Sequence, residues 1–227
     1  MGWQEIDGTD SSATGGKRMR PTLAMLAADA VGGDLERATP IAVALEYVHN
    51  FSLIHDDLED MDRMRHHRPT VWAVWGKPSA IISGNAMLKI ADGAVWKLRS
   101  VGVEDSIALE AEAELTQQYL KMMEGQYLDI SFETEESVSV PQYLDMIERK
   151  TGALIQASIY LGGLVGPKSG PDRQKATALK AIGHELGRIF QIRDDVLGIW
   201  GGKETGKPVG ADIKRKKKAL PAIHALN

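Results

Sequence analysis

Two aspartate-rich stretches, "HDDLED" (residues 55–60) and "RDDVLG" (residues 193–198), hold the side chains of this sequence best suited to chemistry. Asp56, Asp57 and Asp60 recur at helical spacing, so a helix sets them on one surface, with His49 two turns earlier. Carboxylates this close repel one another, and at the C-terminal part of a helix they also face the negative end of its macrodipole. A bound cation relieves both costs. Oxygen ligands favour Mg2+, Ca2+ or Mn2+ over zinc. Asp194 and Asp195 form a second pair after the apolar run "GRIFQI", with Gln191 one turn back. A single DDxxD run reads equally as a solvated acidic helix end. Two in one helical chain can face each other across a bundle, where carboxylate metal sites are built.

Mg2+ gripped by a few carboxylates completes its shell with water and substrate phosphates. The basic side chains fit that demand: Lys17, Arg18 and Arg20 in "GGKRMRP", Arg65 and Arg68 behind the first aspartates, Lys150 in "KTG" and Lys207 in "TGKP". Arginine offers bidentate contact to phosphate oxygens and lysine a point charge.

The elements that position these groups read as helices. Residues 1–16 are polar and rich in Gly, Ser and Thr, and form a flexible arm, so residues 17–227 make a single domain. "PTLAMLAADAVGG" has helical spacing and stops at paired glycines; Thr39 and Pro40 open the next helix as N-cap and first position. Long helix-periodic runs follow from Pro78, Glu104, Ser139 and Asp172, the third running unbroken through "ERKTG". No segment alternates as a half-buried strand does. The expectation is an all-α bundle of six long helices.

Composition sets the outer bounds. The chain of 227 residues carries a formal charge of −4, which argues against a nucleic-acid binder despite the local "KRKKK" cluster. There are no cysteines, hence neither disulfides nor thiolate metal sites. No apolar run reaches the ~18 residues of a membrane span, and the N-terminus has no secretory pattern, so the cytoplasm is the expected compartment.

"GGKRMRP", "LIHDDLED", "RMRHHRPT", "EGQYLD", "KTG", "FQIRDD" and "TGKPVGADI" with "KKALP" together resemble the trans-prenyltransferases, the polyprenyl diphosphate synthases, from about residue 15 onward. The resemblance implies the isoprenoid synthase type I fold, mostly antiparallel helices around a central cavity, in a homodimer. It implies condensation of isopentenyl diphosphate with an allylic diphosphate. Two or three Mg2+ ions, or Mn2+ in their place, would sit on Asp56, Asp60 and Asp194, with Asp57 and Asp195 supporting them. Arg65, Lys150, Lys207 and Lys217 would grip the allylic diphosphate. Lys17, Arg20, His49 and the position held by His66 would take isopentenyl diphosphate. Thr151 and Gln191 would turn oxygen dipoles toward the allylic cation.

The chain departs from the family's pattern at several points. His66 and His67 stand where Arg and Gly are usual, Gly198 replaces a third aspartate, and Asn85 replaces an aspartate that commonly follows glycine. Helices that the family carries before "GGKRMRP" and after Leu220-Pro221 are not found. Val48, Phe51 and Ser52 occupy the positions that floor the family's product pocket; the Phe51 ring predicts a short product of C15 to C20, with C20 favoured. Two rivals remain open: a weakly active partner subunit of a synthase, and a class I terpene cyclase.

Overall fold

The computed structural model describes residues 16–65, 68–201 and 218–226. Among them the chain folds as α1 (Met19–Ala30), α2 (Leu35–Glu59), a two-strand bridge of β1 (Met64–Arg65) and β2 (Arg68–Pro69), α3 (Val71–Trp75), α4 (Lys77–Trp96), α5 (Asp105–Phe132), α6 (Val140–Ile147), a π-helical segment (Glu148–Gly152), α7 (Ala153–Val165), α8 (Arg173–Trp200) and α9 (Leu220–Leu226). The long helices are those expected from the periodicity of the sequence.

α7 is apolar on all sides, with Leu154, Ile155, Ala157, Leu161 and Val165 all buried. A helix of that kind must be surrounded. α1, α2, α5 and α8 pack around it, and α2 runs along α4 on its other side. The main core joins Ala24 and Ala28 of α1, Ile41, Leu45, Val48 and Phe51 of α2, Val95 of α4, Leu115 and Met122 of α5, and Leu154 and Leu161 of α7. A smaller cluster, built on Phe132, Tyr143, Met146, Ile147 and Ile223, gathers the end of α5, α6 and α9.

Three local expectations are corrected. α2 begins at Leu35, not Pro40: Asp34 caps it by accepting the Glu36 amide at 2.9 Å, and Pro40 lies within the helix. The Asp34 cap satisfies an otherwise orphaned N–H, whereas Pro40, in the second turn, leaves the Glu36 carbonyl without the N–H that another residue would donate to it. The run through "ERKTG" is interrupted, because Glu148–Gly152 adopts the wider π turn. The all-helical expectation also missed the short antiparallel bridge in which Arg65 pairs with Arg68. A bridge of two residues is too brief to show an alternating pattern.

Candidate active site

The C-terminal end of α2 is built to turn back on itself. The Asp62 amide donates to the Asp57 carbonyl at 2.9 Å and the Met61 amide to the Leu58 carbonyl at 3.3 Å, with Met61 left-handed at φ 55°. This is the Schellman pattern of a helix end. The returning chain is held by Thr70 Oγ1 and Trp72 Nε1, both donating to the Asp62 carbonyl at 2.7 Å, and by Arg63 over the Trp72 ring. Arg65 is thereby brought back over the aspartates: its Nε donates to Asp57 and its Nη2 to Asp56, each at 2.6 Å.

A second cation reaches Asp56 from the π segment. Lys150 Nζ lies 3.4 Å from Asp56 and 2.5 Å from Asp129 of α5. Gly125 makes this approach feasible, since a Cβ there would stand 2.6 Å from the Lys150 Cα. Burial opposes ionisation of Asp56, yet Lys150 and Arg65 outweigh it and hold the carboxyl below its usual value. Asp57 goes the other way: burial raises it despite Arg65. Asp60 is raised to about 6, by burial first and then by Asp56, Asp129 and Asp62, with Lys150 only partly offsetting them. Crowded carboxylates that resist ionisation in this way call for a cation.

Thr151, the next residue, turns to the other aspartate pair. Its hydroxyl donates to Gln191 Oε1 at 2.7 Å, and Gln191 Nε2 donates to Asp195 at 2.9 Å. Gly187 permits the contact, because a Cβ on it would meet the backbone of Gly152. Asp195 is 2% exposed and also accepts from the Tyr143 hydroxyl and from the Leu220 amide. Burial and the Asp195 carboxylate push the Tyr143 phenol above its ordinary value. Asp194 is exposed. Neighbouring residues on a helix point about 100° apart, so the two aspartates of this pair meet different surroundings.

Among the described residues no three His, Asp or Glu side chains form a ready metal cage. The donor set nevertheless fits a hard divalent ion: Asp56 and Asp60 offer only oxygen, and Asp60 retains its excess of negative surroundings. Two turns before Asp56 on α2, His49 Nε2 lies 3.2 Å from Arg20 Nη1. Arg20 Nε is buried without a hydrogen-bond partner among the described residues, and burial, partly offset by Glu46, lowers its guanidinium to about 10. Lys17 is exposed at the start of the described chain. Val48 and Phe51 are buried in the main core, the Phe51 ring edge-on to His55 at 4.9 Å, while Ser52 bonds the His49 carbonyl at 2.7 Å. His66, Lys207, Lys217 and the first 15 of the 16 residues of the N-terminal arm lie outside the described residues.

Sequence reasoning passed over Asp129 and Tyr143. Asp129 closes the quoted run "EGQYLD", and Tyr143 stands seven residues before Lys150, a helix-face spacing. Both signals were present, but neither residue lies near an aspartate pair in the sequence.

Comparison with known proteins gives these contacts a context. The family model for polyprenyl synthetase matches residues 8–227. The chain belongs to the polyprenyl synthetase family. It is 44% identical over 222 residues to a (2E,6E)-farnesyl diphosphate synthase of Mycobacterium bovis, covering 97% of this chain and 60% of that protein. It is 41% identical over 228 residues to a geranylgeranyl diphosphate synthase of Mycobacterium tuberculosis, covering 100% of this chain and 63% of the other. The crystal structure of a polyprenyl synthetase from Streptomyces coelicolor A3(2) superposes with a TM-score of 0.90 at 42% identity, over 99% of this chain and 64% of that one. This polyprenyl synthetase chain thus spans 60% to 64% of the length of these relatives. No helix among its described residues is long and apolar enough to cross a membrane.

Proposed function

We propose that this chain carries the site for head-to-tail condensation of isopentenyl diphosphate with an allylic diphosphate, giving an all-trans product of C15 to C20. One observation carries the reading. Consecutive residues of one π turn, Lys150 and Thr151, reach the two aspartate clusters separately, so a diphosphate beside Lys150 places its allylic carbon toward Thr151 and Gln191.

Asp56, Asp60 and Asp194 would hold Mg2+, which when bound neutralises charge on the leaving diphosphate. Arg65 and Lys150 exchange their carboxylate partners for diphosphate oxygens and keep the anion in place. Lys207 and Lys217 would add their charges to this grip. As the allylic C–O bond breaks, diphosphate leaves and the allylic cation faces the oxygen dipoles of Thr151 and Gln191. Arg20 and His49, with Lys17 and His66, position isopentenyl diphosphate so that its double bond attacks that carbon. The released diphosphate takes the proton lost when the new double bond forms. Phe51, with Val48 and Ser52, limits chain growth.

Residues 17–227 act as one domain, in a homodimer in the cytoplasm. Incubation with Mg2+, isopentenyl diphosphate and C5, C10 or C15 allylic diphosphates tests the reading through product length and released diphosphate. Absence of turnover with every primer overturns it. A cyclic hydrocarbon formed without isopentenyl diphosphate identifies a cyclase instead.

A further inference from the structure

Tyr143 is 1% exposed, and its ring is packed among Phe132, Met146, Ile147 and Ile223. An apolar residue would fill that space more cheaply unless the hydroxyl were needed. The hydroxyl donates to Asp195, whose carboxylate also accepts from the Leu220 amide at 3.0 Å and from Gln191 Nε2 at 2.9 Å. Three donors from α6, α9 and α8 therefore converge on one buried carboxylate.

This convergence fixes an orientation further along. A carboxamide presents donors on one side and an acceptor on the other. With the acceptor Asp195 at one end, Gln191 must turn its NH2 there and its carbonyl toward Thr151. The carbonyl then accepts the Thr151 hydroxyl proton at 2.7 Å. Threonine has one hydroxyl proton, so its lone pairs are the part left to face outward. A flipped amide would reverse this order and present N–H and O–H protons to a developing cation.

We propose that Tyr143 is a positioning residue: by locking Asp195 together with the Leu220 amide, it fixes the Gln191 amide and, through it, keeps the Thr151 oxygen lone pairs toward positive charge on the allylic fragment. The inference rests on the reading of the site as one that stabilises an allylic cation. It gives the second aspartate of the "RDD" pair a task separate from metal binding, and it gives the segment 218–226 a link to the reacting carbon.

Two probes of equal length separate orientation from general binding. One is geranyl S-thiolodiphosphate, neutral along its chain. The other is an aza analogue of geranyl diphosphate with a protonated amine in place of the cationic carbon. Affinities for both are measured by calorimetry in Mg2+ for the unmodified chain, Tyr143→Phe, Gln191→Leu and the double variant. Tyr143→Phe is expected to weaken the ammonium analogue about ten-fold, the scale of one charge-directed hydrogen bond, and to leave the thiolo analogue within about two-fold. In the Gln191→Leu background Tyr143→Phe has no further effect, because the relay is already cut. Equal weakening of both probes, no weakening of either, or losses that add in the double variant overturn the relay. If the unmodified chain binds neither probe, the reading of the site as a prenyl diphosphate site falls, and the relay with it.

Discussion

Phe51→Ala tests the proposal that this ring limits product length. The Phe51 ring is 4% exposed, belongs to the main core with Val48, and stands T-shaped to His55 at 4.9 Å and 70°. His55 in turn lies against Gly84 of α4 and bonds the Ile81 carbonyl at 3.3 Å, so the stack spans α2 and α4. Truncation to alanine removes a six-carbon ring from a close-packed interior, which has no slack to fill the gap. The cost is about 3–5 kcal/mol, a large part of a domain's total of about 5–15 kcal/mol. The same vacancy accommodates one further five-carbon unit. Products extracted after turnover and sized by mass spectrometry are expected to shift one unit longer, while the thermal midpoint falls. Phe51→Leu, costing roughly 1 kcal/mol, keeps the fold secure and gives a partial shift. A folded Phe51→Ala protein with an unchanged product distribution refutes the argument that this ring floors the cavity.

Arg65→Met leaves the buried Asp57 carboxylate without its partner; the expected loss is roughly 2–3 kcal/mol by chemical denaturation, discounted for partial exposure of Arg65, and Asp57→Asn in the same background restores most of it. Gly125→Ala forces α5 away from Lys150 and is expected to lower both the thermal midpoint and the affinity for allylic diphosphate, the latter read by calorimetry in Mg2+. Asp60 has a raised carboxyl in the fold, so the native state binds the extra proton between the ordinary value near 3.8 and about 6. Its contribution to stability therefore falls as pH rises through that window. The metal-free protein is expected to show this fall in thermal midpoint, Mg2+ to reduce it, and Asp60→Asn to lack it. Glu110 behaves oppositely: the Arg173 hydrogen bonds outweigh burial and lower its carboxyl, so its stabilisation, about 0.5–1 kcal/mol for an exposed bidentate pair, is lost as pH falls below about 4.5. Arg173→Gln should remove that acid-side dependence in a pH series of melts.

The sequence showed the helices because their apolar residues recur at the helical period, and it showed the first aspartates because three of them share one face of α2. What it hid were contacts between elements. Lys150 and Asp129 are 21 residues apart on different helices, and nothing in the local pattern of either pairs them. Asp194 and Asp195 look equivalent as letters; only the direction of packing around α8 buries one and exposes the other. The start of α2 was misplaced because Pro40 is a strong first-turn signal, whereas Asp34 is followed two residues later by the amide it caps. "ERKTG" ends in Gly152, a weak helix former, but a glycine does not by itself call for a π turn, and the wide turn there is set by what surrounds it.

That wide turn also resolves a problem of phase. A π turn adds a residue to a helical rod, and an added residue rotates everything beyond it by about 100°. Before the turn, Tyr143, Met146 and Ile147 face the smaller cluster; after it, Leu154, Ala157 and Leu161 face the main one. One length of chain thus serves two hydrophobic clusters that do not lie on the same side of it. Deleting a single residue within 148–152 would put the two halves in one register and leave one of the clusters without its helix. The insertion that aims Lys150 and Thr151 is therefore the same one that makes α6 and α7 compatible with their neighbours.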